Sequence, residues 1–165
     1  MLKRFIFLII IIFLFKGCTR DDICPEGTAT SPKLIIVFKN AEDRNTNKLV
    51  EDLSIETDYE NSILVLNRIA TDSVAIPLNT TSDTTKFRFI RSTGSGINLE
   101  ANIDHVIFVY SRKDLYVNRA CGFKSKFENL QTTRVDEGLE NWILDISTIK
   151  DTITDEKKAH LTFYH

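Results

Sequence analysis

The chain has 165 residues, with 21 lysines and arginines against 23 aspartates and glutamates, and 42% of it is hydrophobic. That length suffices for one domain with a sizeable core and is too short for two ordinary ones. A formal charge of −2 does not favour the basic face that phosphate binding requires, which argues against nucleic acid as a partner.

The first element is a leader: Lys3 and Arg4, an apolar run from Phe5 to Phe15, then Lys16-Gly17-Cys18. A short basic segment, eleven apolar residues and a small residue before a cysteine describe a secretory signal peptide over residues 1–17. The run is too short to cross roughly 30 Å of hydrocarbon, which needs about twenty helical residues, and this disfavours an uncleaved transmembrane anchor. Ending on Gly17-Cys18, the leader resembles the bacterial lipoprotein type, with Phe15 and Lys16 in place of the usual aliphatic and small residues. The resemblance implies cleavage before Cys18 and acylation of that cysteine, palmitate included, so that N-terminal acyl chains hold the protein to a membrane. Asp21-Asp22 behind it resembles the signal that sends some lipoproteins of Bacteroidota to the cell surface; the plain alternative is a solvated tether. Cleavage removes three basic residues and no acidic one, leaving 148 residues with 18 basic and 23 acidic, a formal charge of −5. Residues 18–31 are expected to form the lipidated tether and a leader pinned by a disulfide, and residues 32–165 the domain.

With Cys18 taken by lipid, two thiols remain, Cys24 and Cys121. In an exported protein such a pair predicts a structural disulfide, worth about 4–5 kcal/mol in the chain-entropy model for a loop of this size. The alternative, a metal or redox pair, has no Cys-x-x-Cys or Cys/His spacing to support it.

From Pro32 onward the dominant period is two. Leu34 to Phe38 reads as a strand buried on both faces or nearly so, and Leu49 to Thr57 alternates through Leu53 and Ile55. Further alternating runs are Ile63 and Val65, Val74 to Leu78, and Phe87 with Phe89. Val106 to Tyr110 and Leu115 to Ala120 follow, with Ser111–Asp114 expected as a charged turn between them. Phe123, Phe127 and Leu130 stand at helical spacing, so one helix turn is expected as an option there. Trp142 to Ile149 and Ala159 to His165 complete eight or nine short strands. That pattern predicts an all-β fold, an antiparallel β-sandwich with one disulfide. The single Trp142 falls after both cysteines, whereas a true immunoglobulin domain places it between them, so the sandwich is expected to be Ig-like in architecture only.

Chemistry-bearing motifs are scarce. His160 and His165 are five apart and on a strand point to opposite faces, so a site built from them and His105 would need a bend. Ser95, in Thr93-Gly94-Ser95-Gly96, lacks the glycine spacing of a nucleophile elbow and reads as a turn. Asp43, Asn45 and Asn47 begin like a calcium loop, but Lys48 and Ser54 stand where glycine and a bidentate glutamate are needed. No phosphate loop, dinucleotide fingerprint or zinc-protease motif occurs, so no metal, cofactor or catalytic residue is assigned. Phe87-Arg88-Phe89 is explained by strand alternation over one buried face.

Two segments are less ordinary: Asp21 to Leu34, running DDICPEGTATSPKL, and Arg119 to Lys124, running RACGFK. With the ending from Trp142 to His165 they resemble a family of small uncharacterised lipoproteins of Bacteroidota, classed as a domain of unknown function. The resemblance spans nearly the whole mature chain and implies location and extent, with no activity to carry over. Physically the two segments are expected to meet, Cys24 bonding Cys121, Pro25 and Gly27 shaping a turn and Gly122 allowing close approach. Arg119, Phe123 and Lys124 are then candidate partner-binding residues; the plain alternative is solvation or pairing with Asp22 or Glu26. Asp72-Ser73-Val74, Asp83-Thr84-Thr85 and Asp151-Thr152-Ile153 resemble the O-glycosylation acceptor of that phylum, which makes Ser73, Thr84 and Thr152 candidate acceptors. The expected function is a lipid-anchored, non-catalytic binding or assembly component of the cell envelope. An outer-membrane location is expected, on the periplasmic or surface face, beside another envelope protein. The alternative class is a small-ligand or glycan-binding protein, or a hydrolase with a dispersed site.

Overall fold

The computed structural model describes residues 23–93 and 100–165. Among the described residues nine strands form two sheets: β1 (Leu34–Lys39), β2 (Val50–Thr57), β3 (Leu64–Thr71), β4 (Ser73–Ile76), β5 (Thr84–Thr93), β6 (Glu100–Asn118), β7 (Gly122–Arg134), β8 (Asp145–Thr148) and β9 (Leu161–Tyr164). One sheet runs β4-β1-β9-β8 and the other β3-β2-β5-β6-β7. The expected sandwich-like all-β fold is present.

Alternation places the core. Leu34, Ile36 and Phe38 of β1 face inward, as do Leu53 and Ile55 of β2 and Phe87 and Phe89 of β5. Phe163 of β9 meets Phe89 across the sandwich at 5.3 Å between ring centroids and Phe38 beside it at 6.0 Å. One pairing departs from the antiparallel expectation, because β1 lies parallel to β9, Ile36 opposite Leu161 through Lys39 opposite Tyr164. Parallel neighbours need a long crossover. Here the whole intervening chain supplies it, a relation between the ends that local periodicity does not carry.

The largest difference from expectation lies in β6 and β7. Ser111–Asp114 is no turn: β6 continues through it for 19 residues. Those four residues contain neither Gly nor Pro, and charged side chains on an exposed strand do not break it. The chain reverses at Arg119–Cys121 instead, where the Asn118 side-chain oxygen accepts the Cys121 N–H at 2.7 Å and Gly122 takes φ 68°. The expected helix turn from Phe123 is β7. Phe123 and Phe127 are four apart because strand neighbours on one face are two apart. Leu130 comes three later because the register slips by one residue between Gln131 and Glu128, with Asn129 at φ 57°. A β-bulge thus imitated helical spacing.

A buried carboxylate ties the loop before β8 to the core. Fully buried Asp104 accepts the backbone N–H groups of Trp142 at 3.2 Å and Ile143 at 2.7 Å, and the Trp142 indole donates to the Phe89 carbonyl at 3.1 Å.

Candidate functional site

β5 pairs with β6 only from Thr84–Val109 to Thr93–Glu100. Beyond Val109, β6 has β7 as its strand neighbour, and past Phe127, which is buried and exchanges backbone hydrogen bonds with Ile153, Lys113–Asn118 and Gly122–Lys126 form a two-stranded ribbon overhanging the sheet. An isolated two-stranded hairpin is marginal in water. This one is fastened at its tip and along its free edge. Cys24 and Cys121 are bonded, their Cα atoms 4.8 Å apart and 97 positions apart in sequence. The leader makes a turn in which the Pro25 carbonyl accepts the N–H and hydroxyl of Thr28, with Gly27 at φ 80°. It then runs beside β7, where the Ser31 hydroxyl oxygen accepts the Ser125 N–H at 2.8 Å. The expected meeting of the two cysteine segments is present. Gly122 serves it by its left-handed backbone, since no neighbour lies within 4 Å of where its side chain would begin.

On this stapled tip stand the three candidate residues. Arg119 is exposed in the turn, and Phe123 and Lys124 open β7. Phe123 shares a face with Ser125 and Phe127, so it continues the inner face of the sheet past the end of the core. It is 69% exposed. Directly opposite stands Tyr116, 62% exposed, with ring centroids 5.4 Å apart in an edge-to-face arrangement. The other face carries Lys113 opposite Lys126 and Leu115 opposite Lys124. Among the described residues, Lys113, Arg119, Lys124 and Lys126 have no carboxylate within ion-pair distance. Sequence reasoning missed Tyr116, Lys113 and Lys126 because the turn was expected at Ser111–Asp114. With the reversal at residues 119–121, pairing outward from it would have found them.

At the opposite end of the sandwich two clefts share Arg91 and Thr93. One, of about 480 Å³, is lined by Lys48, Asp52 and His165; the other, of about 500 Å³, by Glu100, His105, Glu137 and Glu140. Arg91 lies over the Trp142 ring at 5.4 Å, and its Nε and the His165 Nδ1 are buried without a hydrogen-bond partner. The three histidines are engaged separately. His105 bonds Asp58 at 2.8 Å, His160 Nδ1 accepts the Ile35 N–H at 3.0 Å, and His165 contacts the Lys48 carbonyl at 3.3 Å. Asp43 closes a local turn, holding the Thr46 hydroxyl and the Asn45 N–H; these bonds lower its pKa.

The acceptor candidates lie apart. Ser73 is exposed on β4 and bonds Asp72 at 3.3 Å, Thr152 bonds Asp151 at 3.1 Å, and Thr84 opens β5 half-buried. In each triplet the following residue, Val74, Thr85 or Ile153, points into the core. Cys18, the leader over residues 1–17, Asp22 and Ser95 lie outside the described residues.

A family model described as a family of unknown function, DUF6452, matches residues 52–165. The chain belongs to that family. The match starts inside β2 and includes Cys121 but not Cys24, so it spans less of the chain than the resemblance implied. Yet β1, which precedes it, lies between β4 and β9 and completes the four-stranded sheet. No curated protein and no solved structure matches.

Proposed function

We propose that this DUF6452 protein is an exported, lipid-anchored, non-catalytic binding or assembly component of a Bacteroidota cell envelope. The observation that carries the reading is the Cys24–Cys121 bond. Disulfides persist in oxidising compartments, and this one uses two of three cysteines, the third being Cys18 directly behind the basic and apolar leader. The stapled ribbon supplies the binding surface, because exposed aromatic and basic side chains on a rigid support are the usual anchors of an interface. Glycans at Ser73, Thr84 or Thr152 belong to the same reading; the exposed place of Ser73 on β4 supports it best, Thr84 and Thr152 being half-buried. Cys18→Ser should abolish incorporation of labelled fatty acid and release the protein from membranes. Continued fractionation with membranes as an uncleaved chain would replace the lipoprotein reading with a transmembrane anchor.

The two clefts at the far end favour a second reading, a small-ligand or glycan site centred on Arg91. Its sign would be loss of activity or ligand binding on Arg91→Ala with the tip intact. Unchanged cellular function in that variant would set it aside.

A further inference from the structure

We propose that the ribbon tip docks on the lipid bilayer itself, Tyr116 and Phe123 seated at the headgroup level and Lys113, Arg119, Lys124 and Lys126 facing anionic lipid. The proposal deepens the reading above and rests on acylation of Cys18. Reach makes the first argument. The tip is bonded through Cys121 to Cys24, and Cys18 stands six residues before Cys24. Six residues span at most roughly 20 Å fully extended. A membrane holding acyl chains on Cys18 therefore lies within that distance of the disulfide, whichever way the sandwich leans. A protein partner would have to enter that narrow space. The bilayer forms one wall of that space, so lipid is the surface nearest to the tip.

Composition makes the second argument. Rings with a polar end, such as Tyr116, concentrate at membrane–water interfaces, an exposed Phe such as Phe123 buries apolar surface there, and basic residues close to an anionic surface add attraction. The tip carries both, a pair of exposed rings on one face and three lysines on the other, with Arg119 at the turn. Lys113 directly opposite Lys126 breaks the rule against like charges in a cross-strand pair. No carboxylate among the described residues stands within ion-pair distance of either lysine, although Glu128 follows two positions along the same face, and an anionic surface would add the missing counter-charge. The backbone groups that β6 and β7 turn toward each other are paired, and Ser31 covers the Ser125 N–H on the free edge of β7. The outward-facing groups of β6 past Val109 have no strand beside them and need water, which sets the docking depth at the polar headgroup layer and not in the hydrocarbon. Docking gives an acyl-tethered domain a second contact and so an orientation. The sandwich stands on its tip, and the clefts around Arg91 point away from the membrane.

The test uses the full-length lipidated protein in vesicles, with a tryptophan placed by Phe123→Trp, or by Tyr116→Trp should the first variant misfold. Leu139→Trp, at the far end of the sandwich, is the control; Trp142 is buried and gives a constant background. Vesicles of phosphatidylcholine, alone or with phosphatidylglycerol, carry lipids brominated at a shallow or a deep acyl position. The tip tryptophan should shift to the blue and be quenched by shallow bromine more than by deep, and more strongly when anionic lipid is present. The control should show neither effect. A membrane-bound protein whose tip tryptophan is unquenched overturns the docking while leaving lipidation standing. Absence of fatty-acid label at Cys18 overturns both. A tip unquenched by lipid but crosslinked in cells to one envelope protein overturns the bilayer as occupant and makes the tip a protein interface. Equal quenching with and without anionic lipid overturns the role given to the four basic residues.

Discussion

Replacing Asp104 by asparagine should destabilise the fold by roughly 2–4 kcal/mol, although the two side chains have nearly the same shape. Each carboxylate oxygen of Asp104 accepts one backbone N–H, Oδ1 from Trp142 at 3.2 Å and Oδ2 from Ile143 at 2.7 Å. Asparagine keeps one acceptor and turns an NH2 donor toward the other amide. One charge-assisted bond of about 1.5–3 kcal/mol is lost, and a buried N–H without a partner costs about 1–3 kcal/mol more; the two overlap because both count one bond. Asp104 is fully buried and Ile143 likewise, so water reaches neither group to compensate. Urea unfolding followed by fluorescence of Trp142, the single tryptophan, reads the effect where it arises. With a slope of about 1–3 kcal/mol per molar urea, the midpoint should fall by roughly 1–2 M at unchanged slope. Asp104→Ala, which orphans both amides, should cost at least as much. An asparagine variant within about 0.5 kcal/mol of the parent would refute the reasoning, since it would mean that neither amide depends on the carboxylate.

Three further outcomes are expected. Joint replacement of Cys24 and Cys121 by serine should lower stability by about 4–5 kcal/mol, the chain-entropy value for a loop near 97 residues, and a midpoint matching the oxidised parent would refute it. Phe163→Ala should cost about 3–5 kcal/mol, because the ring is fully buried between Phe38 and Phe89; calorimetry showing a melting temperature near the parent's would count against that packing. Stability should also decline as pH falls below about 6.5. Burial, with Lys150 nearby, lowers the pKa of His160, and burial first, with Lys48 and Arg91, lowers that of His165. The unfolded histidines then bind protons at higher pH than the folded ones, so acid favours unfolding, by at most one proton per group. His160 adds a specific loss, since its Nδ1 must stay unprotonated to accept the Ile35 N–H. Urea midpoints measured from about pH 7.5 to about 5 should fall, and His160→Gln should flatten the curve; a flat curve in the parent refutes the linkage.

Most of the fold was legible because burial on one face of a strand leaves a period of two in the residues themselves. Phe87, Phe89, Val106 and Phe108 could be assigned to the core from spacing alone, and all four are buried. What escaped was geometry without a local signature. The parallel contact of β1 with β9 depends on how the ends of the domain meet, and no window of neighbouring residues records it. The bulge at Asn129 changed the period of β7 from two to three for one step, enough to suggest a helix. Asp104 was overlooked because an acidic residue inside a strand reads as a solvent-facing position. Only the fold brings the unpaired amides of Trp142 and Ile143 to it.

The candidate surface was half legible for a related reason. Arg119, Phe123 and Lys124 drew notice as residues that alternation left unexplained beside Cys121. Tyr116 did not, because its meaning lies in standing opposite Phe123 across a turn that had been expected elsewhere. The reversal at residues 119–121 also gives the disulfide a purpose beyond stability. A two-stranded ribbon past the edge of its sheet lacks the third strand that would hold it. The bond to Cys24 and the Ser31–Ser125 contact supply the missing restraint from the leader side. Reduction should therefore loosen the tip before the core. Amide exchange along Lys113–Asn118 and Gly122–Lys126 should rise on reduction while Phe87, Phe89, Phe127 and Phe163 remain protected. A uniform rise across both regions would show that the bond holds the domain as a whole and that the tip has no separate stability for a binding surface to exploit.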